Sequence, residues 1–161
     1  MIAPRMIRLI AVGKLKEEFW RRGMSVYESK LGKYAVLNIV ELADEQTPET
    51  LSEAEEAQVR EREGERIIGA LPVDAAIVAL AINGRMLTSN HFSKQMVRLG
   101  EEGRREVVFI IGGSLGLSEA VLRRAHVHVS FGPMTYPHQL MRLVLLEQWL
   151  RMYDSTKHTN A

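Results

Sequence analysis

Apolar residues are distributed along this chain in two rhythms. Short, nearly unbroken apolar runs occur at Ile7 to Val12, Val36 to Leu42 (loosely alternating), Ala75 to Ile82, Val107 to Ile111 and Val127 to Ser130. Their length and branched content predict buried strands. Between them the spacing lengthens to that of helices. Trp20, Met24, Tyr27 and Leu31 form one stripe, with Gly32 placed to end it. Ser52 followed by Glu55 is a capping-box signature. The helix behind it is dense in Glu53, Glu55, Glu56, Arg60, Glu61, Arg62, Glu63, Glu65 and Arg66, leaving a thin apolar stripe through Val59 and Ile67. Such a helix reads as a solvated surface face. Asn83-Gly84 marks a turn after the third run. Ser89 or Asn90 is placed to cap a helix through Phe92, Met96 and Leu99, which Gly100 and Gly103 end.

Strands alternating with helices predict an α/β fold with a mostly parallel, doubly wound sheet. No linker divides residues 1–161, so one domain is expected. The last helix, from about His138 to Tyr153, carries Leu140, Met141, Leu143, Val144, Leu145, Leu146, Trp149, Leu150, Met152 and Tyr153 around almost its whole circumference. A helix apolar all round is buried on more than one side, and a second subunit packed through Leu143, Leu146, Trp149 and Leu150 is the expected cover.

Composition narrows the function classes. The net charge of +1 neither demands nor excludes nucleic acid. The arginines are scattered, in pairs such as Arg21-Arg22, Arg104-Arg105 and Arg123-Arg124, and two copies together could build a patch that one lacks. The absence of cysteine fits a reducing compartment and removes thiolate metal sites. No apolar run approaches the roughly 20 residues needed to span a bilayer. The start, Met1 to Met6, lacks the apolar segment of a secretory signal. A cytoplasmic protein with no membrane and no metal partner is expected.

The chemistry is expected between Arg105 and Tyr153. There one strand opens into Gly112-Gly113-Ser114-Leu115-Gly116, and the next into Phe131-Gly132-Pro133-Met134-Thr135-Tyr136-Pro137-His138. Two loops of little bulk at the carboxyl ends of parallel strands leave backbone groups free to grip a ligand. Gly112 to Gly116 also matches the G-x-S-x-G nucleophile elbow, with Ser114 as nucleophile and Asp154 and His158 following in hydrolase order. Those two lie only four residues apart in a polar tail, which makes a serine hydrolase the weaker reading. Dinucleotide and phosphate-loop fingerprints are both absent. His126 and His128 share a direction but lack a third ligand, so they read as a structural pair. His138, at a helix start after the second loop, would face whatever that loop binds.

At these residues the chain resembles the RlmH family of SPOUT methyltransferases. The resemblance runs over nearly the whole chain. It is carried by Met6 to Lys14 and Ala79 to Gly84, and most specifically by Phe109-Ile110-Ile111-Gly112-Gly113 and Met134-Thr135-Tyr136-Pro137-His138 with Gln139 to Arg142. It implies a C-terminal trefoil knot, a homodimer, and methylation by S-adenosylmethionine of N3 of a pseudouridine in large-subunit (23S) ribosomal RNA on the assembled ribosome. The cofactor residues it implies are Leu80, Gly112, Phe131, Gly132, Pro133, Met134, Thr135 and Tyr136. A uracil imide must lose a proton when methylated, and His138 and Arg142, beside the cofactor loop, are the candidates to assist. Met1 to Arg5 reads as an N-terminal extension. The ending departs from the family pattern: of Leu150-Arg151-Met152 and the tail Asp154 to Ala161, only Arg151 matches. The alternative is therefore a knotted cofactor-binding protein that the altered tail has left catalytically impaired.

Overall fold

The computed structural model describes residues 3–102 and 106–159, the side chains of 156–159 excepted. Five parallel strands, β1 (Met6–Val12), β2 (Val36–Leu42), β3 (Ala75–Met86), β4 (Glu106–Ile111) and β5 (Val127–Ser130), form one sheet in the order β2-β1-β4-β3-β5. The all-parallel α/β architecture agrees with the sequence reading, and β2 has the bounds predicted for it.

Helices cover both faces, as a parallel sheet requires. Alternate strand residues feed two cores. Ile7, Leu9, Ala11, Val107, Phe109 and Ile111 meet α1 (Glu18–Leu31), α3 (Ser89–Glu101) and α5 (His138–Thr159). Ile10, Val12, Val108 and Ile110 meet α2 (Glu53–Ala70) and α4 (Glu119–Arg124) on the other face. Among the described residues, no helix is long and apolar enough to cross a membrane.

Four expectations change. The third strand runs through Asn83-Gly84 to Met86 instead of ending there, because its pairing with β5 slips: both Leu80 and Arg85 sit opposite Val129. Residues 81–84 are thus an outward bulge. A Cβ at Gly84 would lie 2.8 Å from the backbone of His128 and Val129, so only glycine fits. Secondly, Thr88 caps α3, its hydroxyl accepting the His91 N–H at 3.1 Å, in place of Ser89 or Asn90, and the helix passes through Gly100 to end at Glu101, Gly103 lying outside the described residues. Thirdly, Gly32 follows α1 in ordinary right-handed conformation, so its place there does not depend on glycine's freedom.

The fourth concerns α5. Leu146 and Trp149 are fully buried in the chain's own core, Trp149 meeting Phe109 edge-on at 6.3 Å. Its α1 side rests on Leu143, which fills the space beside Gly23. The helix is apolar all round because the sheet, α1 and α3 enclose it, and a second subunit is not needed to explain that. Leu143 and Leu150 alone of the four interface candidates keep exposed surface. The capping box at Ser52 and Glu55 forms as read, both bonds present. Ahead of β1, the Tyr153 hydroxyl donates to the Pro4 carbonyl, and Pro4 packs on Gly100.

Candidate active site at the carboxyl ends of the strands

The sheet order makes the ends of β4, β3 and β5 lateral neighbours, about 4.8 Å apart. Leu80, half-buried at the foot of the 81–84 bulge, pairs with Val129. Ala79 pairs with Ile110, which brings Leu80 level with the last residue before Gly112. The predicted elements Leu80, Gly112 and the loop after Ser130 therefore converge on one end of the sheet.

The first loop is braced by itself. The Gly116 N–H donates to the Gly113 carbonyl at 3.0 Å, and Gly116 takes φ +85°, a left-handed conformation that favours glycine. Ser118 then caps α4 by accepting the Val121 N–H at 3.3 Å. Gly112 and Gly113 are buried. A Cβ at Gly112 would lie 2.8 Å from Leu117 and 3.0 Å from the backbone of Gly116. The protein itself, before any ligand, forbids a side chain there.

Glu63 stands behind this loop, and sequence reasoning assigned it to the solvated face. It is buried, one carboxylate oxygen accepting the Glu45 N–H at 2.9 Å and the other lying 2.8 Å from where a Gly113 Cβ would be. That second oxygen is buried with no hydrogen-bond partner. Burial pushes the carboxyl above the usual carboxylate range. The signal was present: Glu63 lies four residues from both Val59 and Ile67, on the apolar stripe itself.

The second loop is different. The Ser130 hydroxyl accepts the Gly132 N–H at 3.0 Å, and Gly132 takes φ +105° with open space where a Cβ would be. Residues Pro133 to Pro137 are exposed, Met134 by 69%. A cavity of about 100 Å³ lies at the loop's base, lined by Ser130 and Phe131 with residues of α3 and α5. The segment carries the chain from the edge strand β5 towards β1, where Arg142 is anchored one turn into α5. That path spans three strand spacings, roughly 14 Å, past the ends of β3 and β4.

His138 begins α5 half-buried. Burial, and then the Arg142 charge, push its imidazole below the ordinary value of 6.5, so it is neutral at neutral pH. Arg142 itself is 2% exposed. One terminal nitrogen is paired with Glu41 and the other donates to the Gly13 carbonyl at 2.9 Å. With both committed, Arg142 is a tie between α5 and the ends of β1 and β2. Its remaining nitrogen, Nε, is buried without a hydrogen-bond partner.

The hydrolase constellation does not assemble. Asp154 accepts a 2.8 Å hydrogen bond from Tyr34, and its neighbour Tyr153 reaches Pro4, ahead of β1. Ser114 follows β4, parallel to β1, so the two lie at opposite ends of the sheet. The side chain of His158 falls outside the described residues. His126 accepts the Ile77 N–H at 2.9 Å and His128 contacts the Leu122 carbonyl at 2.7 Å, consistent with the structural reading of both. Among the described residues no cluster of three His, Cys, Asp or Glu could hold a metal.

A family model described as "Predicted SPOUT methyltransferase" matches residues 6–159. The Ribosomal RNA large subunit methyltransferase H of Listeria monocytogenes serotype 4a is 50% identical over 147 residues, covering 91% of this chain and 92% of that protein. Its namesake in Enterococcus faecalis is 50% identical over 151 residues, covering 94% and 95%. That of Lacticaseibacillus casei is 50% identical over 147 residues, covering 91% and 92%.

Proposed function

Because the chain belongs to the SPOUT methyltransferase family, we propose that it methylates large-subunit ribosomal RNA, at N3 of a pseudouridine in the assembled ribosome, with S-adenosylmethionine as donor. The observation that carries this is the meeting of Leu80, Gly112 and the 131–136 loop at one end of the sheet. The fit to the donor rests on the same place. Gly132 opens onto free space, Leu80 is half-buried, and Met134 and Tyr136 offer exposed apolar surface.

When bound, the sulfonium group supplies an electrophilic methyl carbon. The chain's task is then to hold the base nitrogen in line with it and keep water out. Phe131 to Tyr136 provide backbone groups and apolar cover. His138, neutral at neutral pH, is the group free to accept the imide proton. Arg142 acts through others, keeping His138 uncharged and fixing the Gly13 carbonyl. A homodimer fits the exposed Phe19 and Val26, which lie four and three residues from Gly23 along α1.

Transfer of tritiated methyl to ribosomes lacking the modification, with mass spectrometry of the product, tests the reading. Label in large-subunit RNA is expected. Tight donor binding without label would favour the impaired binding protein instead.

A further inference from the structure

We propose that the loop Gly13 to Lys16, after β1, is a phosphate-binding lip that grips the RNA backbone at the rim of the candidate site. The inference rests on the ribosomal RNA reading above and adds the surface that would meet the substrate. In β1 and β4, Ala11 pairs with Ile111, so the chain leaves β1 beside Gly112 and Gly113. The lip and the glycine loop start as neighbours, about 4.8 Å apart.

The lip is held by hydrogen bonds in which neither lysine side chain takes part. The Gly13 N–H donates to the Leu42 carbonyl at 2.8 Å, and its carbonyl accepts from Arg142. The Leu15 N–H donates to Glu41 at 3.2 Å. Arg21 closes the turn from outside, donating to the carbonyls of Leu15 at 2.9 Å and Lys16 at 3.0 Å. Gly13 takes φ +100°, which turns the chain away from the sheet. Lys14 and Lys16 are exposed, and among the described residues neither is in an ion pair. Of the nearby carboxylates, Glu41 is paired with Arg142 and Glu18 with Arg22, while Glu17, Glu28 and Asp44 are in no ion pair among the described residues. Two exposed ammonium groups on a hydrogen-bonded turn suit backbone phosphates, which set affinity and register without reading sequence.

The test uses the full-length double variant Lys14→Gln/Lys16→Gln. Binding to large ribosomal subunits should weaken roughly tenfold, and the slope of log affinity against log salt should shrink by about 1.5 to 2. S-adenosylmethionine affinity by calorimetry should match the wild type. Unchanged subunit binding and salt slope would overturn the inference, as would lost donor affinity with an intact slope, which would assign the lysines to the donor. Wild-type methyl transfer is run in parallel. Its absence would refute the functional reading alone, because subunit binding and its salt slope still read the lip.

Discussion

The two loops at the candidate site solve opposite problems with similar residues. Gly112 to Gly116 is buried at its root, closed by its own hydrogen bond and pressed from behind by Glu63. Phe131 to Tyr136 begins with one serine-held turn and then runs exposed to Pro137. The first loop is finished by the fold, so glycine there serves packing. The second is short of internal partners, so its shape depends on what it covers. A site bounded in this way has one braced wall and one exposed wall, a division that would suit a ligand that must enter and leave.

Breaking the braced wall should have the largest effect. Gly112→Val drives a branched side chain into Leu117 and the Gly116 backbone, and should destabilise the fold by about 2–4 kcal/mol. Urea titration reads this, and a variant as stable as the wild type would mean the turn yields freely. Next comes Arg142→Met, which keeps bulk but removes the ion pair of Glu41, leaving it the Leu15 N–H, and the side-chain donor of the Gly13 carbonyl. Because Glu41 is partly exposed, a loss of about 1–3 kcal/mol is expected rather than the larger penalty of a fully buried orphan charge.

Smaller still is the effect of pH at the hinge between the loop and α5. His138 has its folded pKa below 6.5, so the stability that depends on its neutral form is present above pH 6.5 and lost as pH falls below it. Methyl transfer should hold through neutral pH and fall on acidification, and His138→Gln should flatten that acid limb. An acid limb unchanged in the variant would remove the imidazole from proton transfer. At the bottom of the scale, Met134→Ala and Tyr136→Ala should shift the unfolding midpoint by less than about 0.5 kcal/mol while weakening donor binding several-fold. Stability loss as great as at Gly112 would erase the contrast between the walls.

Much of this was legible in the chain. The apolar runs located all five strands, and the two small-residue loops marked the end of the sheet where the candidate site lies. What stayed hidden depended on partners far away in sequence. Gly84 looks like a turn residue until β5 packs against its backbone. Arg142 looks available until Glu41 and Gly13 arrive from more than a hundred positions upstream. Trp149 looks like an interface residue because periodicity records that a helix is enclosed, not by what. Glu63 was misread for a related reason: a carboxylate on an apolar stripe is discounted unless the group it packs against is known.

The tie between Arg142 and Gly13 closes a loop of 129 residues, and the bond from Tyr153 to Pro4 closes one of 149. Contacts of such sequence separation form late and slow a domain's folding. The turn after β1 is tied to β2 and α1 through Leu42, Glu41 and Arg21, yet its tie to Arg142 waits until α5 has been made. A chain that stalls or is clipped ahead of α5 therefore lacks an element that completes the candidate site.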